Sequence, residues 1–214
     1  MSKSFKSLFP ELNIRLLSIE LASPIILFII LHCLISRSFD TLYAHHLPTL
    51  YMFICYQSAI TVNFAFDGIS QNKPNRIPLI RTLPDPQKAV KAAVTELVMS
   101  IIAVICIYCV IAVLFPALFE SVIPEPPKMI PIMIFCTLIF FGIYLSICTF
   151  TSSYAVLIIT FVFSVITEIP MIIAENSDEY YTPMLIATAI LAAISVIGGT
   201  AVSLSNIGRR VQHD

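Results

Sequence analysis

Polar residues are too sparse along most of this chain to set a period, so its elements are marked by the interruptions. Apolar runs at about 17–36, 47–66, 94–118, 129–149, 154–174 and 184–204 each approach the roughly 20 residues a helix needs to cross a hydrocarbon layer. Lipid offers backbone amides no partners, so such runs predict helices rather than open strands. The pattern predicts an all-α membrane protein with six transmembrane helices, forming a single transmembrane domain over 1–214. Residues 129–174 are too long for one crossing at about 1.5 Å per residue. The polar cluster Thr149, Thr151, Ser152 and Ser153 therefore predicts a tight turn.

Two stretches leave alternatives open. Residues 2–20 carry Phe5, Leu8, Phe9, Leu12, Leu16 and Leu17 at helical spacing, with Lys3, Lys6 and Arg15 between them. That suits a helix in the headgroup region, broken at Pro10, or a partly ordered tail. Glu168 precedes Pro170, which either ends the fifth span and lets 168–182 fold back at the outer surface, or leaves Glu168 to reach the outer headgroups. In the sixth span, Ala192-Ala193, Gly198-Gly199 and Ser203 predict close helix packing, as Gly142 does in the fourth.

Composition agrees with the pattern. The chain is 58% apolar and 12% charged, with a mean hydropathy of +0.93, against about 25% charged residues in ordinary globular domains. A net charge of −1 gives no basis for nucleic-acid binding. No cleavable leader is expected, because the first apolar run follows a polar segment and precedes no small-residue cleavage pattern.

The placement of charge is more informative than its sum. With six spans, both termini and the long polar segment 67–96 fall on one side. Ten of the twelve Lys and Arg residues lie there, and the other side holds only Arg37 and Lys128 among six acidic residues. The positive-inside rule then makes both termini and the 67–96 loop cytoplasmic.

Catalytic signatures are missing. The sequence has no P-loop, no H-E-x-x-H and no G-x-S-x-G, and no nucleophile-and-base pattern can be built around His32, His45, His46 or His213. The chain is therefore not expected to be an enzyme. His45 and His46 lack nearby Cys or carboxylate ligands and read as interfacial rather than metal-binding. The six cysteines, including the Cys106/Cys109 pair, lie in apolar runs and read as small hydrophobes. Neither a catalytic residue nor a metal ligand is assigned. Gln57 and Asn63 inside the second span read as interhelical hydrogen-bonding groups or, with Glu168, as polar positions on a substrate path.

The loop carries a resemblance. Thr82-Leu83-Pro84-Asp85-Pro86-Gln87-Lys88-Ala89-Val90 resembles the S-L-P-x-[ST]-R-K-x-[IV] loop of bacterial ABC-2-type transporter permeases, which also lies between their second and third spans. The six-span plan matches as well. Thr82 replaces the usual Ser, Pro86 and Gln87 replace Ser/Thr and Arg, and Thr95 stands near a usual Tyr. Within the family the chain resembles the small permeases of bacitracin-resistance, lantibiotic and phenol-soluble-modulin exporters, where an acidic residue such as Asp67 often precedes the loop.

The resemblance implies an ABC-2 (type V-like) exporter permease fold in a bacterial plasma membrane. It implies a coupling helix that docks into a groove on a separate ATPase subunit. Leu83 and Val90 would form an apolar knob beside Pro84, with Arg76, Arg81 and Lys88 at the acidic rim. Closure of two ABC ATPase subunits, which hold the ATP and Mg, would then pull on the second and third spans. This chain would bind no cofactor itself. A second permease copy or a sister permease would complete a lipid-embedded pore that exports amphipathic peptides, antibiotics or lipid-like molecules. The alternative is a non-transporting membrane immunity or sensor protein that sequesters a toxin and needs no ATPase.

Overall fold

The computed structural model describes residues 46–67, 69–70, 74–118, 129–150, 154–176 and 178–213. The N-terminal segment with Pro10, the first span at 17–36, the link at 119–128 and Lys73 lie outside the described residues. The elements are α1 (His46–Phe66), α2 (Ile77–Arg81), α3 (Pro86–Leu118), α4 (Met129–Phe150), α5 (Tyr154–Asn176) and α6 (Asp178–His213). Among the described residues, three stretches are long and apolar enough to cross a membrane: Pro86–Ile107, Met129–Phe150 and Asp178–Gln212. The chain is thus a helical membrane protein. The second and fifth expected spans coincide with α1 and α5.

Helix ends differ from the expected spans for local reasons. α3 begins at Pro86, well ahead of 94, because Asp85-Pro86 is a helix start. The Asp85 carboxylate accepts the Lys88 amide at 3.1 Å, and its carbonyl accepts the Ala89 amide at 3.0 Å. Pro86 sits first in the helix, where no amide is needed. α3 and α6 have 33 and 36 residues, or about 50 and 54 Å at the standard rise. Both outreach a hydrocarbon layer of roughly 30 Å. α5 runs through Pro170 to Asn176, and α6 follows from Asp178. Residues 168–176 and 178–182 are therefore continuous helix, not a fold-back piece. A proline inside a membrane helix is tolerated where neighbours and local adjustment satisfy the released carbonyl.

α4 is the hub. It packs against α1, α3, α5 and, most extensively, α6. Buried residues line all its faces, from Met129, Ile132 and Met133 to Phe140, Phe141, Leu145 and Cys148, as expected of a helix that is apolar all round. Its crossing with α6 is backbone on backbone. A Cβ at Gly142 would overlap the Ser195 carbonyl group, and one at Gly199 would overlap the Gly142 carbonyl. Around the crossing, Ser203 Oγ donates to Gly199 O at 2.8 Å and lies 3.3 Å from Leu145 O. Ser146 Oγ donates to Gly142 O at 3.2 Å. The stripe Ala192, Ser195, Gly199, Ser203 thus faces α4, while Ile190, Ile194 and Ile197 on the opposite face are exposed. Close approach through small residues replaces the hydrophobic drive that lipid removes.

α1 and α5 are joined deep in the bundle. Thr167 Oγ1 donates to Ser164 O at 3.1 Å. With that proton committed, it accepts the Tyr51 hydroxyl. Tyr51→Phe is expected to lower stability by about 0.5–1 kcal/mol, typical of interhelical hydrogen bonds in membranes. Thermal unfolding in detergent checks this, and the Tyr51→Phe, Thr167→Val double variant should lose less than the sum of the singles.

Candidate functional site

The described residues gather the candidate site at one end of the bundle. α1, α4 and α6 all finish there, and α3 starts there. A helix leaves its last four carbonyls without intrahelical partners and carries partial negative charge at that terminus. Three such termini side by side favour cations. Every described Lys and Arg lies at this end: Arg76, Arg81, Lys88, Lys91, Arg209 and Arg210. The acids Asp178 and Glu179 are exposed at the far end. The charge asymmetry read along the sequence is therefore an asymmetry between the two ends of the bundle.

Arg210 ties the termini together. Its Nη1 donates to Ile69 O at 2.6 Å, in the turn that closes α1. Its Nη2 donates to Thr149 O at 3.1 Å, at the end of α4. Its Nε donates back to Asn206 O at 3.2 Å. Asn206 Nδ2 lies 3.3 Å from Thr149 Oγ1. From the loop, Arg81 Nη2 donates to Arg210 O at 2.5 Å.

The described part of the loop rests on this base. The amides of Ile69 and Ser70 close a turn on Phe66 O at 3.0 and 2.9 Å, and Ile77 N donates to Pro74 O at 3.0 Å. α2 follows, with Pro78 in its first turn. Ile77 and Ile80 are buried in one cluster with Ile207 and Val211 of α6. α6 is the neighbour that α2 packs on most among the described helices.

The sequence-derived coupling residues divide into two sets. Pro84 and Lys88 are exposed. Among the described residues the Lys88 ammonium makes an exposed ion pair with Asp85, at 3.8 Å, a kind that contributes little. Arg76 is half-buried ahead of α2, and Arg81 is turned inward to Arg210. Leu83 is half-buried against the core. Val90 corrects the expectation of an apolar knob. It is 2% exposed, because the early start of α3 carries it round to the core face with Ala89, Ala93 and Val94. The apolar side chain that the loop presents is Leu79, 63% exposed, on the face of α2 opposite Ile77 and Ile80. Its position between two buried isoleucines was the available signal, once α2 is known to be a helix.

The intramembrane candidates do not form one site. Glu168 is 8% exposed, so its residue is inside the bundle. The Tyr51–Thr167 contact fixes the register of antiparallel α1 and α5, setting Glu168 level with residue 50. Gln57 and Asn63 then lie about 10 and 20 Å further along the axis. Both are half-buried, and the Oδ1 of Asn63 is buried with no hydrogen-bond partner among the described residues. Cys55, Cys136 and Cys148 are buried. Among the described residues no group of three His, Cys, Asp or Glu side chains is placed to hold a metal. Comparison with protein families, curated proteins and solved structures returns no match.

Proposed function

We propose that this chain is the membrane subunit of an ATP-driven ABC exporter of the ABC-2 type. It has six spans and both termini in the cytosol of a bacterium. ATP and Mg are bound by two separate ATPase subunits, and a second copy or a sister permease completes the pore. The cargo is amphipathic or apolar: a peptide, an antibiotic or a lipid-like molecule. Apart from the separated Gln57, Asn63 and Glu168, the spans offer few groups for a small hydrophilic solute.

The observation that carries the reading is the form of the loop. Just ahead of the segment resembling a coupling motif lies an ordered short helix, α2, seated on the bundle by Ile77 and Ile80, with Leu79 standing out at the cationic end. A solvated basic turn obeying the charge rule has no need of either feature. Leu79, with Pro84 and Lys88 beside the turn, is the surface for the ATPase groove. Burying one leucine contributes about 1.5–3 kcal/mol, so Leu79→Ala should weaken ATPase association roughly tenfold or more, and Leu79→Asp should abolish co-purification. Co-purification from membranes and substrate-stimulated ATP hydrolysis measure this. Wild-type association of the Leu79→Asp chain would refute docking through α2.

A further inference from the structure

We propose that Arg210 is the positioning residue that carries motion of the loop into the bundle. The Arg81–Arg210 pair latches α2 to the ends of α6 and α4. A displacement of α2 is therefore delivered first to the α4–α6 pair, and only second to α1 and α3, which flank the loop in sequence. This rests on the coupling role proposed above, but the latch itself is a property of this chain alone.

Three observations converge on it. The apolar seat of α2 is on α6, through Ile77 and Ile80 against a cluster holding Ile207 and Val211. The polar tie of α2 is also on α6, where Arg81 Nη2 donates to Arg210 O at 2.5 Å. The guanidinium of Arg210 then reaches Thr149 O on α4 and Ile69 O after α1. α4 and α6 are in turn in close backbone contact at Gly142 and Gly199, where a Cβ on either would overlap the other helix. A push on α2 has a stiff path into this pair. After α1 the chain turns at Ile69 and Ser70. Arginine suits the junction because its planar fork places several donors at fixed angles, whereas a lysine ammonium is a point charge on a flexible stem.

Amide hydrogen exchange on the full chain in lipid nanodiscs tests the latch without any ATPase. A hydrogen bond from a charged donor is worth about 1.5–3 kcal/mol, so Arg81→Gln should speed exchange of the amides at 79–83 roughly tenfold or more, and Arg210→Gln, which keeps the accepting carbonyl but loses the donors to Ile69 O and Thr149 O, should do the same at 69–70. In Arg81→Gln, exchange at 139–146 and 195–203 should stay as in the wild type. Arg210→Lys should behave as Arg210→Gln. Unchanged exchange at 79–83 in Arg81→Gln, or rescue by Arg210→Lys, would overturn the latch. So would loss of protection over all helices together in Arg81→Gln, which would make the contact a general brace.

The delivery of motion is read with the partner ATPase. Arg210→Gln should still co-purify with it while substrate-stimulated hydrolysis falls about tenfold, as expected for loss of one such interaction. Unaltered stimulation would refute Arg210 as the relay even with the latch confirmed by exchange. If the wild-type chain retains no ATPase, the exporter reading fails and the relay with it, while the exchange result still decides the latch.

Discussion

Replacing Gly199 with leucine will separate α4 from α6, while the same change at Gly198 will leave the bundle intact. The side chain at 199 would have to occupy the space of the Gly142 carbonyl, whereas no described residue lies within 4 Å of a Cβ at 198. The obstacle at 199 is backbone, not the tip of a flexible side chain, so relief requires the helices to part. Overpacking of a tight core costs about 1–3 kcal/mol, and more where nothing can yield; the Gly199 variant belongs at the upper end. For a chain of this size, about 3 kcal/mol corresponds to roughly 6–12 °C in Tm. Alanine sharpens the contrast. Gly198→Ala relieves the entropic cost of a mid-helix glycine and should gain about 0.5–1 kcal/mol, whereas Gly199→Ala should lose stability. Thermal unfolding of the purified chain in one detergent measures all four variants. Equal responses at 198 and 199 would contradict the crossing.

Arg210→Ala should be costly, and Arg209→Ala, one residue away, nearly silent. Arg209 is exposed, and exposed substitutions usually stay within about 0.5 kcal/mol. Arg210 spans the ends of α1, α4 and α6, so its loss removes charge-assisted donors to Ile69 O and Thr149 O and leaves both carbonyls in a partly dry junction. With hydrogen bonds to charged groups worth about 1.5–3 kcal/mol each, a loss of roughly 3 kcal/mol is expected. Arg210→Lys should recover less than half of it, since one ammonium cannot meet both carbonyls at their separate positions. Denaturant or thermal unfolding of the three variants decides the matter. A full recovery by lysine would show that charge alone acts here.

These two contrasts also mark what the sequence could and could not reveal. The runs that become α3, α4 and α6 were legible because lipid requires long apolar helices. The gathering of Arg76, Arg81, Lys88, Lys91, Arg209 and Arg210 at one end was legible from the order of runs and charges. The phase of each helix was not. In water, polar residues mark the outer face; here Ile194 against lipid and Ile207 in the core are equally apolar. Nothing in the sequence therefore separates Gly198 from Gly199. The same loss of phase hid Leu79 and promoted Val90. Asp85-Pro86 did carry a local signal for the start of α3, but the neighbouring prolines made the stretch look like loop. The role of Arg210 joins residues 69, 81, 149 and 210, and no local pattern reaches across such separations. Glu168 shows the reverse case. Its cost inside a membrane made it conspicuous, yet its distance along the axis from Gln57 and Asn63 was beyond sequence reasoning.

The central claim is that an external ATPase grips the short helix at the cationic end. A photoreactive amino acid at position 79, activated in intact cells, tests it most directly. The account predicts a covalent adduct with a cytosolic chain that contains a P-loop, identified by mass spectrometry and lost when the probe is moved to the buried position 80. An adduct confined to proteins outside the cytosol, or no adduct with a P-loop chain in cells that carry the protein in their membrane, would contradict it.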